Sequence, residues 1–419
     1  MKIPSLPTIP PFERADPHRD DAGGGRVRRG PTTGGHRRIG AAAALALAAA
    51  STGVVVPVLR MLVEDAGHGS ISAGIFSAAH VIGGVVGAAC GTRALRIARS
   101  TRTLAVAALA ASTAVTLAMA ALDSLELRVG LRFIDGACHL LAITALIAAA
   151  TAGNHELRAR RAMMMGLTIV LGVAGGLGIG ALLGHPETAL VMAAALCGAA
   201  LLVVLTQVAA VPPSSAPPRS RERGPVAPGL LAFGERFLFG TLSVAAPFLA
   251  SPARVGLVLG VFMTASVGAL RCAWRYALTW GPRRLAIRST LALALALAVT
   301  AAVDVFASLG LALAWALACG AAAGSLYASA LVLAARSAEL EDRMRDMATV
   351  NAAGSAGHML GALCAGLLVS MLPGTLVVPI PSALVLAAAL AGVWFTVPAA
   401  ARDYQGADRH VPPRATISP

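Results

Sequence analysis

Twelve long apolar segments restrict the fold of this chain more than any other feature of its sequence. An α-helix needs about 20 apolar residues to cross a hydrocarbon core of about 30 Å. No water is available there to bind exposed backbone groups, so only helices and closed barrels span a membrane. The sequence therefore predicts an all-α membrane protein with twelve spans, at about 39–62, 71–91, 103–122, 128–150, 162–184, 187–210, 229–250, 254–273, 285–307, 309–335, 347–371 and 375–399.

The composition excludes other classes of protein. Hydrophobic residues make up 57% of the chain and charged residues 13%, whereas soluble domains are about one quarter charged. The balance is equally unlike that of a disordered chain. No GxxxxGK[ST] phosphate loop, HExxH motif or Cys/His cluster occurs, which predicts no ATP hydrolysis, no metal and no cofactor. The six cysteines are scattered without CxxC spacing, as expected of small buried apolar residues.

The basic residues predict the orientation in the membrane. If the N-terminus lies inside the cell, most of the 34 lysines and arginines lie toward the inner face. The exceptions are Arg60, Arg128, Arg132 and Arg254. This bias follows the positive-inside rule. The bias also accounts for the net charge of +14, because the basic residues set the orientation of the chain and face anionic lipid. Binding to nucleic acid is not needed to explain this charge. No secretory signal is visible, both termini are expected in the cytoplasm, and the Arg/Ala-rich composition favours a bacterial inner membrane.

The spans fall into two halves. A Pro/Ser/Arg-rich stretch at 212–228 predicts a cytoplasmic linker between two six-helix bundles, at 39–211 and 229–399. Short tails are expected at 1–38, as a disordered basic segment, and at 400–419. The halves resemble each other: Gly172 and Gly176 of the fifth segment recur as Gly357 and Gly361 of the eleventh, 185 residues later. Six-helix repeats are typical of secondary transporters, whose substrate site lies between the repeats.

Four motifs carry a resemblance to a known family. The second-to-third loop runs GAACGTRALR from Gly87 to Arg96, and the second copy ends WGPRRL at 280–285. The fourth segment contains RFIDG at 132–136, and the fifth is glycine-rich from Gly166 to Gly176. From about 39 to 399 the chain resembles the major facilitator superfamily in its twelve-helix form. Gly91 and Leu278 occupy the positions where that family's loop motif has an acidic residue.

The resemblance implies alternating access and gating roles for the loop motifs. Close helix packing and gating are expected of these residues: Gly87, Arg93, Arg96, Gly172, Gly176, Gly281, Arg283 and Arg284. In proton-coupled members of the family, the arginine of the fourth-helix motif, here Arg132, is implicated in coupling.

Ionisable side chains are costly in a membrane and so mark candidate sites. Arg132, Asp135 and His139 fall on one helical stripe, which predicts either a proton or substrate-charge site or a structural ion pair. Glu235 is a candidate second carboxylate, with an anchor at the inner surface as the alternative. Asn351, Ser355 and His358 are further cavity candidates, with hydrogen bonding between helices as an equally open alternative. His80 and Arg60 are cavity candidates too, although a packed histidine and a snorkelling arginine are the favoured interpretations.

These observations predict a secondary active transporter and not an enzyme. The favoured function is proton-coupled efflux of a small amphipathic drug or metabolite by a monomer, with protons, the substrate and the bilayer as partners. An importer of a sugar, organic acid or amino acid is the alternative within transport. A multi-span membrane enzyme or a transporter-like sensor is the alternative from another class.

Overall fold

The computed structural model of the protein describes residues 33–151, 155–211, 226–304, 307–334 and 340–396. Within these ranges the chain is almost entirely helical, and twelve helices are long and apolar enough to cross a membrane. This confirms the predicted fold class. All twelve helices belong to the unit His36–Pro419, apart from the first residues of the first helix.

The first half contains helices α1 to α6: α1 Thr33–Val55, α2 Ser70–Ala98, α3 Thr101–Ala120, α4 Leu125–Thr151, α5 His155–Leu183 and α6 Pro186–Gln207. A 3₁₀ turn at Val56–Val58, which contains Pro57, joins α1 to a short helix at Leu59–Glu64. Proline lacks the backbone N–H of a regular helix, and this explains the interruption.

The second half contains α7 to α12: α7 Val226–Leu249, α8 Pro252–Trp280, α9 Pro282–Ala302, α10 Leu309–Ala334, α11 Leu340–Val369 and α12 Pro379–Thr396, the last preceded by a short helix at Gly374–Val377. The last three residues of the proposed linker belong to α7, and the rest of it, 212–225, lies outside the described residues. Of the proposed N-terminal tail at 1–38, residues 1–32 lie outside the described residues, and residues 33–38 belong to α1. The proposed tail at 400–419 also lies outside the described residues. A helix can extend beyond the hydrocarbon region of the membrane, because its backbone hydrogen bonds also form where its side chains are polar and lie in water.

Glycines bring pairs of helices within each half into backbone contact. A Cβ atom at Gly172, Gly176 or Gly180 of α5 would overlap a backbone carbonyl oxygen of α1. The second half repeats this arrangement, because a Cβ at Gly357 or Gly361 of α11 would overlap a carbonyl oxygen of α7. The recurring glycines therefore serve the same packing contact in both repeats, as small residues commonly do between membrane helices.

We expect Gly176→Val to destabilise the fold strongly, because its side chain would meet the backbone of α1 at Ala50. Overpacking typically costs about 1–3 kcal/mol, and backbone yields less readily than a side chain. The adjacent Gly175 has open space around its Cβ position, so Gly175→Val is a matched control. Thermal unfolding of the two purified variants checks this; equal losses of stability would contradict the packing role.

The two halves meet along two pairs of helices, α2 with α11 and α5 with α8. We call the end of the bundle that carries Ser70 and Gly366 the outer end, following the orientation predicted from charge. There the Ser70 hydroxyl donates a 2.8 Å hydrogen bond to the Gly366 carbonyl. At the same end, a Cβ on Gly256 of α8 would overlap Ala181 and the Leu177 carbonyl of α5. The contact between the halves is therefore closed at the outer end.

Toward the inner end the halves diverge. On α5, Gly166 lies on the same face as Leu177, three turns further inward, and its Cβ position has no atom within 4 Å. On the face of α11 that meets α2, Ala362 is fully buried, Ser355 is half-buried and Asn351 is exposed. We infer from these open positions that a cleft between the halves opens toward the inner end.

Candidate functional site

Asp135 of α4 lies at the centre of a buried polar cluster in the first half. Its Oδ2 accepts a 2.7 Å hydrogen bond from Arg132 Nη1, one helical turn away. Its Oδ1 accepts hydrogen bonds from the hydroxyl groups of Ser112, at 2.5 Å, and Thr116, at 3.4 Å. All four residues are buried. A buried carboxylate needs a paired charge and several hydrogen-bond donors, and this cluster supplies both.

Two histidines extend the cluster. His80 Nδ1 of α2 lies 3.2 Å from Asp135 Oδ2, and the His80 side chain is 17% exposed. His139 lies one turn beyond Asp135 on α4, with its ring centroid 5.5 Å from that of His80. Arg132 Nε and His139 Nδ1 are buried, and neither makes a hydrogen bond to the described part of the chain. His80 is therefore the member of the cluster with the most solvent access.

Close packing of α2 against α4 holds His80 at Asp135. A Cβ at Gly136 would overlap the His80 carbonyl oxygen, and one at Gly87 would overlap that of Ala137. Gly83 makes an equivalent contact with Phe133. Gly87 of the loop motif thus lies in the close contact of α2 with α4, and glycine at these positions allows His80 to approach Asp135.

Arg132 also connects the cluster to the contact between the halves. Its guanidinium carbon lies 5.4 Å from the ring centroid of Phe76 on α2, in cation–π geometry. Phe76 is fully buried and lies two residues from Gly74, which contacts α11 at the outer end. Arg132 therefore contacts the helix whose outer end meets α11.

Sequence reasoning missed four members of this cluster: Ser112, Thr116, Cys197 and Ser51. Ser112 and Thr116 lie one turn apart on α3, and their spacing within an apolar helix is a detectable signal. Cys197 of α6, interpreted from sequence as an apolar filler, lies 3.7 Å from the Ser112 hydroxyl and its thiol donates to Ser51 at 3.2 Å. The cluster therefore draws on α1, α2, α3, α4 and α6.

A second polar cluster occupies the other half. Glu235 of α7 is buried, and its Oε2 lies 3.2 Å from Nε of the neighbouring Arg236. The guanidinium of Arg236 stacks over Tyr327 of α10, with its central carbon 5.5 Å from the ring centroid. The Tyr327 hydroxyl donates to Asn351 Oδ1 of α11 at 3.4 Å. Glu235 therefore has a charged partner next to it in sequence.

The cleft between the halves is lined by the polar stripe of α11. His358 is half-buried, and its ring centroid lies 5.5 Å from that of Phe239, which in turn stacks with Phe262. A Cβ at Gly240 of α7 would overlap the carbonyl oxygen of His358, so this part of α11 packs closely on α7. Asn351 and Ser355 continue the stripe toward the inner opening.

The remaining predicted residues lie away from the cleft. Arg60 pairs with Glu64 at 2.8 Å near the outer end, where both border a crevice of about 430 Å³ beside Pro247. Gly281 adopts φ +80° where α8 gives way to α9. Arg93, Arg96 and Arg284 are exposed near helix ends at the inner face. Arg283 donates to the Trp394 carbonyl at 3.5 Å.

Comparison with known proteins identifies the fold. The sequence model described as Major Facilitator Superfamily matches residues 229–417. No curated protein matches the chain in sequence. Among solved structures, the chain is similar to a variant of the nucleoside transporter NupG, with a TM-score of 0.68 at 11% identity, over 86% of this chain and 100% of that one.

Two further solved structures show the same likeness. One is a D-xylose-proton symporter, with a TM-score of 0.69 at 16% identity, covering 86% of this chain and 97% of that one. The other is a bacterial homologue of the human lysosomal transporter Spinster in an inward-facing, unoccupied conformation. Its TM-score is 0.68 at 12% identity, and the match covers 87% of this chain and 93% of that one. The chain therefore has the twelve-helix fold of the major facilitator superfamily, and its second half also matches that family in sequence.

Proposed function

We propose that the chain is a proton-coupled secondary transporter that exports small amphipathic molecules from a bacterial cell through the inner membrane, acting as a monomer. The observation that carries this proposal is the buried carboxylate of Asp135, held between Arg132 and His80. Ionisable groups this deep in a membrane protein typically serve proton or substrate movement. The partly exposed His80 provides a route for a proton between the cleft and Asp135.

The geometry supports a specific coupling mechanism. A proton delivered to Asp135 removes its negative charge and leaves Arg132 as a buried cation without a counter-ion. Such a charge is costly, so protonation favours any conformation that relieves it. Because Arg132 stacks on Phe76 of α2, the relief acts on the helix that meets α11 at the outer end. Proton binding thereby shifts the population between inward-open and outward-open states.

Export of amphipathic compounds is supported by the chemistry of the cleft. The half-buried His358 is backed by the buried rings of Phe239 and Phe262. Asn351 and Ser355 lie on the same face of α11 as His358. An apolar wall with a few polar groups suits ligands that are mainly hydrophobic. An inward-open cleft can admit such compounds from the cytoplasm or the inner leaflet. The second charged cluster, with Glu235, is the proposed site for a polar group of the substrate.

Compound accumulation in an efflux-deficient bacterial host tests this function. Cells expressing the chain are compared with cells carrying an empty vector, over a panel of dyes, drugs and metabolites, with and without a protonophore. We expect lowered accumulation of at least one amphipathic compound, and the protonophore should abolish the difference. Raised accumulation would instead establish import, and no change with folded protein present in the membrane would count against transport of this class.

A further inference from the structure

Aromatic residues with polar groups are scarce in this chain and gather at one place. The sequence contains four tryptophans and three tyrosines. Three of these tryptophans and one tyrosine lie in the last turns of α8 and α12: Trp274, Tyr276 and Trp280 on α8, and Trp394 on α12. The ring centroids of Tyr276 and Trp280 are 4.7 Å apart. Tryptophan and tyrosine favour the headgroup level of a membrane.

Two arginines of α9 stack on two of these tryptophans. The guanidinium carbon of Arg288 lies 4.5 Å from the ring centroid of Trp280. That of Arg283 lies 5.0 Å from Trp394, whose carbonyl also accepts a hydrogen bond from Arg283. Arg283 therefore fixes α9 to the end of α12, whereas Arg288 is exposed and keeps donors available for an external acceptor. We call Trp280, Arg283, Arg288 and Trp394 the basic–aromatic cluster.

An exposed apolar stripe begins at Arg288 and runs outward along α9. Leu291, Leu295 and Val299 lie on the same helical face as Arg288 and are 58%, 69% and 40% exposed. These side chains can pack along an extended hydrocarbon chain. The cluster thus places a positive charge and an indole ring at the head of an apolar strip, which matches the amphipathic shape of a phospholipid.

We propose that the basic–aromatic cluster is a binding site for an anionic phospholipid of the inner leaflet, whose phosphate contacts Arg288 and whose acyl chain lies along Leu291, Leu295 and Val299. Basic pockets at this level of membrane proteins bind anionic headgroups. Arginine presents several donors in a planar arrangement that suits phosphate oxygens. A free phosphate ion could contact Arg288, but it would leave the apolar stripe of α9 without a partner.

The first half provides an internal comparison. The corresponding α2–α3 connection carries Arg93 and Arg96, but α2 and α3 contain no tryptophan or tyrosine. Its arginines supply the same charge without an aromatic surface. If charge alone attracted anionic lipid, both connections would bind it equally. The site proposed here is confined to the second half.

Native mass spectrometry of the full chain, with phosphatidylglycerol or phosphatidylethanolamine of identical acyl chains, tests the proposal. We expect wild-type protein to retain phosphatidylglycerol more strongly. We expect Arg288→Gln to weaken that binding roughly fivefold, the effect of one arginine near an anionic surface, and Trp280→Leu to weaken it as well. Arg96→Gln, which removes the same charge, should leave the binding unchanged.

Three results would overturn the site. Equal losses from Arg96→Gln and Arg288→Gln would reduce the effect to general surface charge. Equal retention of the two lipids would remove the requirement for an anionic headgroup. Displacement of the bound lipid by millimolar inorganic phosphate would assign the binding to the phosphate group alone and remove the role of the α9 stripe. Thermal unfolding of each variant verifies that lost binding does not reflect lost structure.

Discussion

Asp135→Asn is expected to abolish proton-driven transport while the protein remains folded. Asparagine has almost the same shape as aspartate, and its carbonyl oxygen can still accept hydrogen bonds from Ser112 or Arg132. It has no proton to exchange with His80 or the cleft. The measurement is uptake into liposomes containing the purified variant, driven by an imposed pH gradient, with a compound identified in the accumulation panel.

A matched control exists on the same helix. Glu126 of α4 is an exposed carboxylate near the outer end, where it accepts a hydrogen bond from Ser124. Glu126→Gln removes the same chemical group without touching the buried cluster, so proton-driven transport should stay at the wild-type level. Exchange of substrate without a gradient should persist in Asp135→Asn, since it needs only the cleft. Unchanged pH-driven transport by Asp135→Asn would refute the coupling role.

Removing the other partner of the buried pair should have the largest effect on stability. Arg132→Met leaves Asp135 as a buried carboxylate without its charged partner, and breaking a buried pair from one side typically costs about 3–5 kcal/mol. In contrast, Arg132→Met combined with Asp135→Leu leaves no charge in the pair, and we expect it to regain most of the lost stability. Apolar replacement of a whole buried pair is often neutral or stabilising.

Thermal or denaturant unfolding of the wild type, both single variants and the double variant completes a double-mutant cycle. A double variant less stable than either single variant would show that the two residues contribute independently. That outcome would contradict the ion pair as the main interaction of Arg132. Partial recovery would leave a remainder that belongs to the stacking of Arg132 on Phe76 and to the hydrogen bonds of Ser112 and Thr116 to Asp135.

Features that repeat along one helix were predictable from the sequence. The twelve spans follow from apolar length, and the stripe of Arg132, Asp135 and His139 follows from the helical period of α4. The glycines of α5 and α11 were expected to serve close packing, and the structure places them against α1 and α7. In each case one segment carries the whole signal, so no knowledge of its neighbours is needed.

Contacts between helices were not predictable in the same way. His80 appeared as an isolated histidine, and only the register of α2 against α4 brings it to Asp135. Ser112 and Thr116 reach the same carboxylate because α3 packs on α4. Glu235 and Arg236 are adjacent on a helix, point in different directions and need not pair, yet their side chains meet at 3.2 Å. Such contacts depend on rotation and depth of each helix, which a single sequence does not encode locally.

The glycine contacts within each half have a mechanical consequence. The helices that carry the contact between the halves, α5 and α11, are each fixed to a neighbour in their own half by interlocked backbones. In the proposed exchange between inward-open and outward-open states, the Ser70–Gly366 hydrogen bond at the outer end has to break. The interlocked backbones of α1 with α5 and of α7 with α11 can stay intact in both states. Each half is then expected to move as one body, so that the interactions exchanged are those between the halves.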